Sequence, residues 1–522
     1  MLDQTSAPLL EAIQARSHKT DAPFYAPGHK RGGGIDPELA QWWGLPVFAA
    51  DLPELPELDN LFAPTGAIAQ AQELAAAAFK ADRTWFLANG STAGVIAAIL
   101  ATCGHGDKII LPRNIHKSAV SGLIISGAVP VFLTPETLPD WDIPLCITPE
   151  AVAAALQSHP DAKAVLVVSP NYHGICGDIA GIAQVAHQHG IPLLVDEAHG
   201  PHFGFHPHLP PRAIEVGADI AVHSTHKVLG AMTQASMLHL RQGMIEPQRV
   251  NQALELVQST SPSYLLLASL DVARRQMALG GYELMSKTLA LAAVARSSLA
   301  SSRTQIPTLE PPEQWTPSFA GFDPTRLTVK VTDFGLTGYE ADELLQKMGV
   351  TAELPSWGHM TFIISLGNTP ADIQQLVHSF SQLASVSPAP RPPVPQSPRL
   401  PVSPSPPPRR RCQREALRRG SPLARPRVGV ASAKRLGGGP PCPPPSPLPR
   451  EAFFAAREVV PAEAAVGRIS TEIVCPYPPG IPVLMPGEII SQEAIDFLHQ
   501  VRSLGGDITG CDPDLQNFSV VR

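Results

Sequence analysis

The sequence is poor in cysteine and aromatic residues, has no long apolar run and carries no excess of basic charge. Seven cysteines (Cys103, Cys146, Cys176, Cys412, Cys442, Cys475 and Cys511) are scattered through 522 residues. None forms a C-x-x-C pair and the number is odd. That argues against a disulfide framework or a zinc site, and for reduced thiols in a cytoplasmic protein. The net charge is −7, so no nucleic-acid partner is expected. Apolar stretches such as Val95–Cys103 stop well short of the roughly 18 residues that a membrane span needs, so no membrane association is expected. The N-terminus carries Asp3 and Glu11 and lacks a long apolar segment, so no signal peptide is expected. With 44% hydrophobic and 16% charged residues, most of the chain should be globular. At roughly 100–200 residues per domain, two or three domains are predicted.

What is present is alternation. Residues 1–60 read as an N-terminal arm, with a short amphipathic helix near Pro8–Arg16 and a glycine-rich loop, Tyr25–Gly34. Beyond it, helices are predicted at Ile68–Lys80, from Ser91, from His116, at Pro149–Ser158 and at Ile179–His189. Between them lie short apolar runs: Thr84–Ala88, Lys108–Leu111, Val129–Leu133, Ala164–Val168, Ile191–Val195 and Ala218–Val222. Helix-separated apolar runs of this length are the pattern of βαβ units. They predict a doubly wound, mostly parallel α/β domain over 61–295. A smaller α/β domain is expected at 296–387, with strands Leu327–Val331 and Met360–Ser365 and a helix Gly338–Met348. Composition then changes abruptly. Residues 388–450 are rich in proline and arginine, and such a segment cannot bury enough apolar surface to fold. A solvated, disordered linker is the simplest reading, although its arginines would also suit a tether. A C-terminal domain is expected at 451–522.

Four segments fall just after predicted strands, at the edge where open parallel sheets bind ligands. Asn89–Gly94 (NGSTAG) opens a helix, where free amides, the helix dipole and the hydroxyls of Ser91 and Thr92 suit a phosphate. Taken alone, Ser91 reads first as the cap of an alanine-rich helix. Asp196 ends the most apolar strand, Pro192–Val195, and a carboxylate there needs a cation. A protonated pyridine nitrogen is one such cation; capping a turn or binding Mg²⁺ are alternatives. Lys227 closes the segment His223-Ser224-Thr225-His226-Lys227, joining a buried strand to an apolar turn. Partial burial among histidines lowers a lysine pKa and favours imine formation, whereas an ordinary lysine is solvated. His116 follows another strand and suits either a flat ring or a helix N-terminus.

Together these segments are more specific than separately, and their order resembles that of fold-type-I pyridoxal-phosphate enzymes, the aspartate-aminotransferase-like superfamily. The segments APGHKRG (26–32), NGSTAG (89–94), RNIHKS (113–118), VDEAHGPHFGFH (195–206), HSTHKVLGAMTQ (223–234), STSPSYLLLASLD (259–271) and GRISTEIVCPYPPGIPVLMPGE (467–488) resemble the bacterial Orn/Lys/Arg decarboxylase family, in its short form without an N-terminal wing domain. The stretch 388–450 departs from the family's pattern.

The resemblance implies a cofactor, pyridoxal 5'-phosphate, carried by Lys227 as a Schiff base and paired with Asp196 at the pyridine nitrogen. It implies that His116 stacks on the ring and that Ser91, Thr92, Ser224 and His226 hold the phosphate. His199 would lie close to the ring, and Lys227 or His226 would supply a proton to the product. Thr260 and Ser261 would approach the cofactor of a partner subunit in a homodimer. No metal is implied. The expected reaction is decarboxylation of a basic amino acid, arginine before lysine or ornithine, with Glu472 as candidate receiver of the distal cation. Two rivals stand beside it. One is another reaction on the same fold (aminotransferase, aldolase or lyase), for which Arg326 is an available carboxylate clamp; the other is a non-catalytic scaffold.

Overall fold

Seven short strands and the helices between them organise the largest part of the computed structural model, which describes residues 2–301, 305–386 and 447–522. The strands are β1 (Arg83–Leu87), β2 (Lys108–Pro112), β3 (Val129–Leu133), β4 (Ala162–Val168), β5 (Leu193–Asp196), β6 (Ile220–His223) and β7 (Ser236–Leu240). They form one sheet in the order β1-β7-β6-β5-β4-β2-β3. Strands β6, β5, β4, β2 and β3 run parallel. Strand β7 is antiparallel to both β6 and β1. The fold is therefore α/β with a mixed, mostly parallel sheet.

The parallel strands are apolar on both faces because helices cover both. Among these are α2 (Ala67–Phe79), α3 (Gly90–Thr102), α4 (Lys117–Ser126), α5 (Pro149–Ser158), α6 (Ile179–Gln188) and α7 (Pro247–Val257). One core joins Leu87, Ile99, Leu111, Val120, Leu166, Val222 and Leu238 with α3, α4 and α7. Others lie on the opposite face, around Phe79 and Met237 and around Val165 and Leu193. Each fully buried side chain of this size contributes roughly 1.5–3 kcal/mol, which fixes the register at the strand ends.

Helix α8 (Tyr264–Ala300) runs for 37 residues, with a non-helical residue at Gly280 (φ −131°), and leads into the small sheet. It also anchors the N-terminal segment, in which α1 spans Pro8–Ser17. Asp271 accepts from the Leu9 amide at 3.0 Å, and the Arg274 guanidinium donates to the carbonyls of Gln4 and Ser6. The small sheet pairs β8 (Arg326–Lys330), β10 (His359–Ile363) and β9 (Leu354–Pro355), all antiparallel. Helices α9 (Gly338–Lys347) and α10 (Pro370–Val386) accompany it. Thr337 and Glu340 form a capping box that starts α9.

Of the segment expected to be a linker, 388–446 lies outside the described residues. Its last four residues are described, and helix α11 (Pro449–Phe453) begins there, slightly earlier than expected. Arg450 explains this: its guanidinium donates to the carbonyls of Ile124 and Ile125 at the end of α4. In the C-terminal part, Arg457–Pro461 pairs antiparallel with Asn517–Val521, and α12 spans Gln492–Ser503. Arg113, just beyond β2, docks this part by donating to the carbonyls of Pro482 (2.8 Å) and Val483 (3.1 Å) and to Glu488 (3.0 Å). No helix among the described residues is long and apolar enough to cross a membrane.

Candidate active site

The C-terminal ends of β1, β2, β4, β5 and β6 lie on one edge of the sheet, and each contributes to one site. After β1 the chain turns at Gly90 (φ +75°) and enters α3. Gly94 lets that helix sit hard against the sheet, since a Cβ there would meet Leu87 Cδ1 and Val222 Cγ1 at 2.7 Å. No side chain caps the first turn of α3, because Asn89 accepts from the Ser259 amide instead. Its amides therefore remain available to an anion. Ser224, beyond β6, donates its hydroxyl to Ser91 Oγ at 2.6 Å, which brings two of the predicted phosphate-holding groups together. Thr92 is exposed beside them.

After β2, His116 caps α4 by accepting from the Ser118 amide. Burial and the charges of Lys227 and Lys117 lower its pKa to about 4, so its ring is neutral. The loop Tyr477–Gly480 of the C-terminal part presses on it. Lys117 N donates to Gly480 O at 3.0 Å, and a Cβ on Gly480 would approach His116 Nε2 to 3.3 Å. After β4 comes Tyr172, whose hydroxyl donates to Pro479 O at 2.9 Å.

Asp196 ends β5 and is 7% exposed. One oxygen accepts from the Ala198 amide at 3.2 Å, and among the described residues no cation lies within ion-pair distance of it. Burial raises its pKa, offset in part by Lys227. After β6, Lys227 Nζ lies 2.9 Å from His199 Nε2 and 5.8 Å from the centre of the Tyr172 ring. Burial lowers the Lys227 pKa, opposed by Asp196 and Glu353 and assisted by Arg326. His199 is also held well below its ordinary value by burial, with Lys227 and Arg326 adding to the effect. His226 donates from Nδ1 to Ala235 O at 3.0 Å, leaving its other nitrogen free of that bond.

The structure therefore gathers Lys227, Asp196, His116, His199, Ser91 and Ser224 at one sheet edge. Thr260 and Ser261 are exposed in the loop before α8. Glu472 is not part of the group. It accepts from the Ser519 amide at 3.0 Å, and the charges acting on it are those of Arg457 and Asp512. Besides Asp196, the Glu353 carboxylate, before β9, acts on Lys227 and Tyr172, and it adds to Asp323 at Arg326. Arg326 is fully buried and committed to the protein, donating to His199 O at 2.9 Å and pairing with Asp323. Its Nε has no partner among the described residues. Two residues were missed by sequence reasoning. Tyr172 was findable, because Ser169–His173 follows β4 as the other site segments follow their strands. Glu353 had no local signal.

The side chains present fit pyridoxal phosphate. A buried carboxylate without a cation awaits a protonated ring nitrogen. An uncapped helix start faces paired hydroxyls, as a phosphate requires. A lysine of lowered pKa stands near the carboxylate. Among the described residues no cluster of His, Cys, Asp and Glu is arranged to hold a metal ion.

Comparison with known proteins agrees. Residues 7–372 match the family described as Orn/Lys/Arg decarboxylase, major domain, and residues 445–521 match its C-terminal domain. The chain is 36% identical over 522 residues to a Bacillus subtilis protein named arginine decarboxylase, covering all of this chain and 98% of that one. It is 27% identical over 592 residues to the lysine decarboxylase LdcA of Pseudomonas aeruginosa, covering 98% of this chain and 78% of that one. The crystal structure of the Francisella novicida lysine decarboxylase LdcF superposes with a TM-score of 0.74 at 21% identity, covering 99% of this chain and 81% of that one. The chain belongs to the Orn/Lys/Arg decarboxylase family.

Proposed function

We propose that this chain decarboxylates a basic amino acid, arginine foremost, to the corresponding amine. The cofactor is pyridoxal phosphate. The observation that carries the reading is the juxtaposition of a half-buried lysine, Lys227, with a buried carboxylate, Asp196, that has no cation within ion-pair distance among the described residues. When bound, the cofactor supplies an electron sink for the pair left at Cα as CO₂ departs.

The chain's own residues do the rest. Lys227 carries the cofactor, with its amine kept reactive by burial. Asp196 would hold a proton on the ring nitrogen, and that cation would oppose the burial that raises the carboxylate's pKa. Ser91, Thr92, Ser224, His226 and the first amides of α3 hold the phosphate. His116, neutral and fixed by its Ser118 and Gly480 contacts, stacks on the ring. His199 accepts from the Lys227 amine and steers it. Loss of CO₂ consumes one proton at Cα, which the Lys227 amine would supply, with His226 as second source. Glu353 replaces Glu472 as receiver of the distal cation. Its two oxygens suit the two-pronged donor face of a guanidinium, which favours arginine over lysine. The relatives named arginine decarboxylase support the same preference. Thr260 and Ser261 are assigned to a partner's cofactor in a homodimer, consistent with their exposure.

The commitment of Arg326 to His199 and Asp323 counts against an aminotransferase. The test is incubation of the protein, with added cofactor, with arginine, lysine and ornithine in turn. Agmatine with stoichiometric CO₂ is expected from arginine at the highest kcat/KM. Keto acid without CO₂ overturns the reading.

A further inference from the structure

Behind the site, on the side of the sheet that packs against α2, four polar side chains join four strands. His223 Nε2 lies 2.7 Å from Glu197 Oε2, His239 Nε2 lies 3.0 Å from His223 Nδ1, and Thr84 Oγ1 lies 2.8 Å from His239 Nδ1. The line crosses from the end of β5 through β6 and β7 to β1. All four residues are nearly sealed from solvent, and Glu197 is 2% exposed. Phe79 closes them in, stacked on His239 at 4.9 Å and edge-on to His223 at 5.6 Å. No step of the proposed reaction uses them.

We infer that Glu197, His223, His239 and Thr84 form a cross-sheet chain of hydrogen bonds that positions Asp196 and Lys227 around the cofactor. The inference rests on the cofactor assignment made above. Glu197 directly follows Asp196, and His223 stands four residues before Lys227. In the ladder between β5 and β6 the last paired residues are Asp196 and Val222. The Glu197–His223 contact is the next link, and the Ser224 amide donating to Ala198 O at 3.3 Å follows it. These links span the point where the two strands part, and the separation of the carboxylate from the lysine is set there. The space is built for the purpose. A Cβ on Gly200 would meet Glu197 Cγ at 2.7 Å, and the other Glu197 oxygen accepts from the Ala213 amide at 2.9 Å.

The contacts accommodate two senses, with Glu197 as donor or as acceptor, and burial favours the one in which Glu197 is neutral. Burial raises the Glu197 pKa to about 8, against the Ala213 amide and the charges of Arg212 and His202, with Glu215 reinforcing it. Burial lowers that of His223 to about 3, reinforced by Arg212 and His202. The Glu197 hydroxyl then donates to His223 Nε2, His223 Nδ1–H donates to His239 Nε2, and His239 Nδ1–H donates to Thr84 Oγ1. A glutamine at 197 reproduces this, because its amide donates to His223 while its carbonyl accepts from Ala213. An alanine leaves a buried imidazole nitrogen unpaired.

The test compares Glu197→Gln, Glu197→Ala and Thr84→Val by titrating cofactor into the apoprotein and by ¹⁵N NMR of the histidine rings without cofactor. Glu197→Ala should weaken cofactor binding about 10-fold or more and Glu197→Gln should restore it to within about 3-fold, as expected for an unpaired buried group against a replaced hydrogen bond. His223 and His239 should both be Nδ1–H tautomers in the wild type and in Glu197→Gln. Cofactor affinity in Glu197→Ala equal to wild type, or no rescue by glutamine, overturns the inference. If Glu197→Ala does not fold, Thr84→Val decides, since it removes only the last acceptor. Weaker cofactor binding with a mixed His239 tautomer supports the chain, and unchanged affinity overturns it. Affinity is read without turnover, so a wild type that binds cofactor and releases no CO₂ overturns the decarboxylase reading alone.

Discussion

The side-chain nitrogen of Lys227 lies 2.9 Å from His199 Nε2, and the carbonyl of His199 is in turn held by the buried guanidinium of Arg326 at 2.9 Å. The lysine is thereby aimed by a histidine that does not itself become cationic, since burial and two neighbouring positive charges hold its pKa far down. The Tyr172 ring closes the arrangement from the side, 4.8 Å from the His199 ring.

That environment gives Lys227 a pKa below 10.5. Burial disfavours the ammonium form, so the free amine appears at a lower pH than in an ordinary lysine. The rate of cofactor uptake by the apoprotein should rise with pH around a midpoint below 10.5. A midpoint at or above that value counts against the account. Lys227→Ala should lose the visible absorbance of the bound cofactor and lower kcat roughly 10²–10⁴-fold.

Asp196 should destabilise the apoprotein. Its pKa is raised from 3.8 by burial, so the folded apoprotein binds a proton more tightly than the unfolded chain does. Stability then falls as pH rises from 3.8 through the raised value. Asp196→Asn removes that cost, and at neutral pH the apo variant should be more stable than the wild type by on the order of 1 kcal/mol, read by denaturant titration. The same variant should bind cofactor more weakly and turn over poorly. A less stable apo variant would falsify the claim that the carboxylate lacks a cation.

Glu353 and Glu472 separate by substrate. Glu353→Gln should raise KM for arginine by roughly 10–100-fold, the worth of a hydrogen bond to a charged group, with less effect on kcat. Glu472→Gln should leave kcat/KM within about 3-fold, because its carboxylate is engaged by the Ser519 amide within the C-terminal part. The reverse pattern restores Glu472 to the site.

The loop Tyr477–Gly480 should matter to the cofactor although it lies far from Lys227 in sequence. Gly480 has φ +81°, and a Cβ there would come within 3.3 Å of His116 Nε2. Gly480→Val combines a strained backbone with a displaced imidazole. Cofactor affinity should fall by about 10-fold, consistent with a backbone cost near 1 kcal/mol plus the lost stacking. Unchanged affinity would show that His116 does not depend on the loop.

The parts of this protein legible in its sequence were those coded locally. Strand β3 (Val129–Leu133) and helix α5 (Pro149–Ser158) fall where their apolar periodicity put them. The site segments around Ser91, Asp196 and Lys227 each follow a strand and were found by that rule. Strand β7 lacks the helix-separated signal, since only a short 3-10 turn, Thr225–Lys227, lies between it and β6, and it returns antiparallel through the loop bearing Lys227. The choice between Glu353 and Glu472 is not coded locally either. Which carboxylate faces the lysine depends on how the small sheet and the C-terminal part dock on the large one, through contacts such as Arg113 to Glu488 that span hundreds of residues. Periodicity carries no information about that docking. Nor did it reveal that Arg326 would be consumed by His199 and Asp323.

The most direct measurement is borohydride reduction of the cofactor-loaded protein followed by peptide mapping of the pyridoxyl group. The account predicts that the label resides on Lys227 and that Asp196→Asn lowers its yield. A label on another lysine, such as Lys30 or Lys117, or no covalent label in a fully loaded protein, contradicts it.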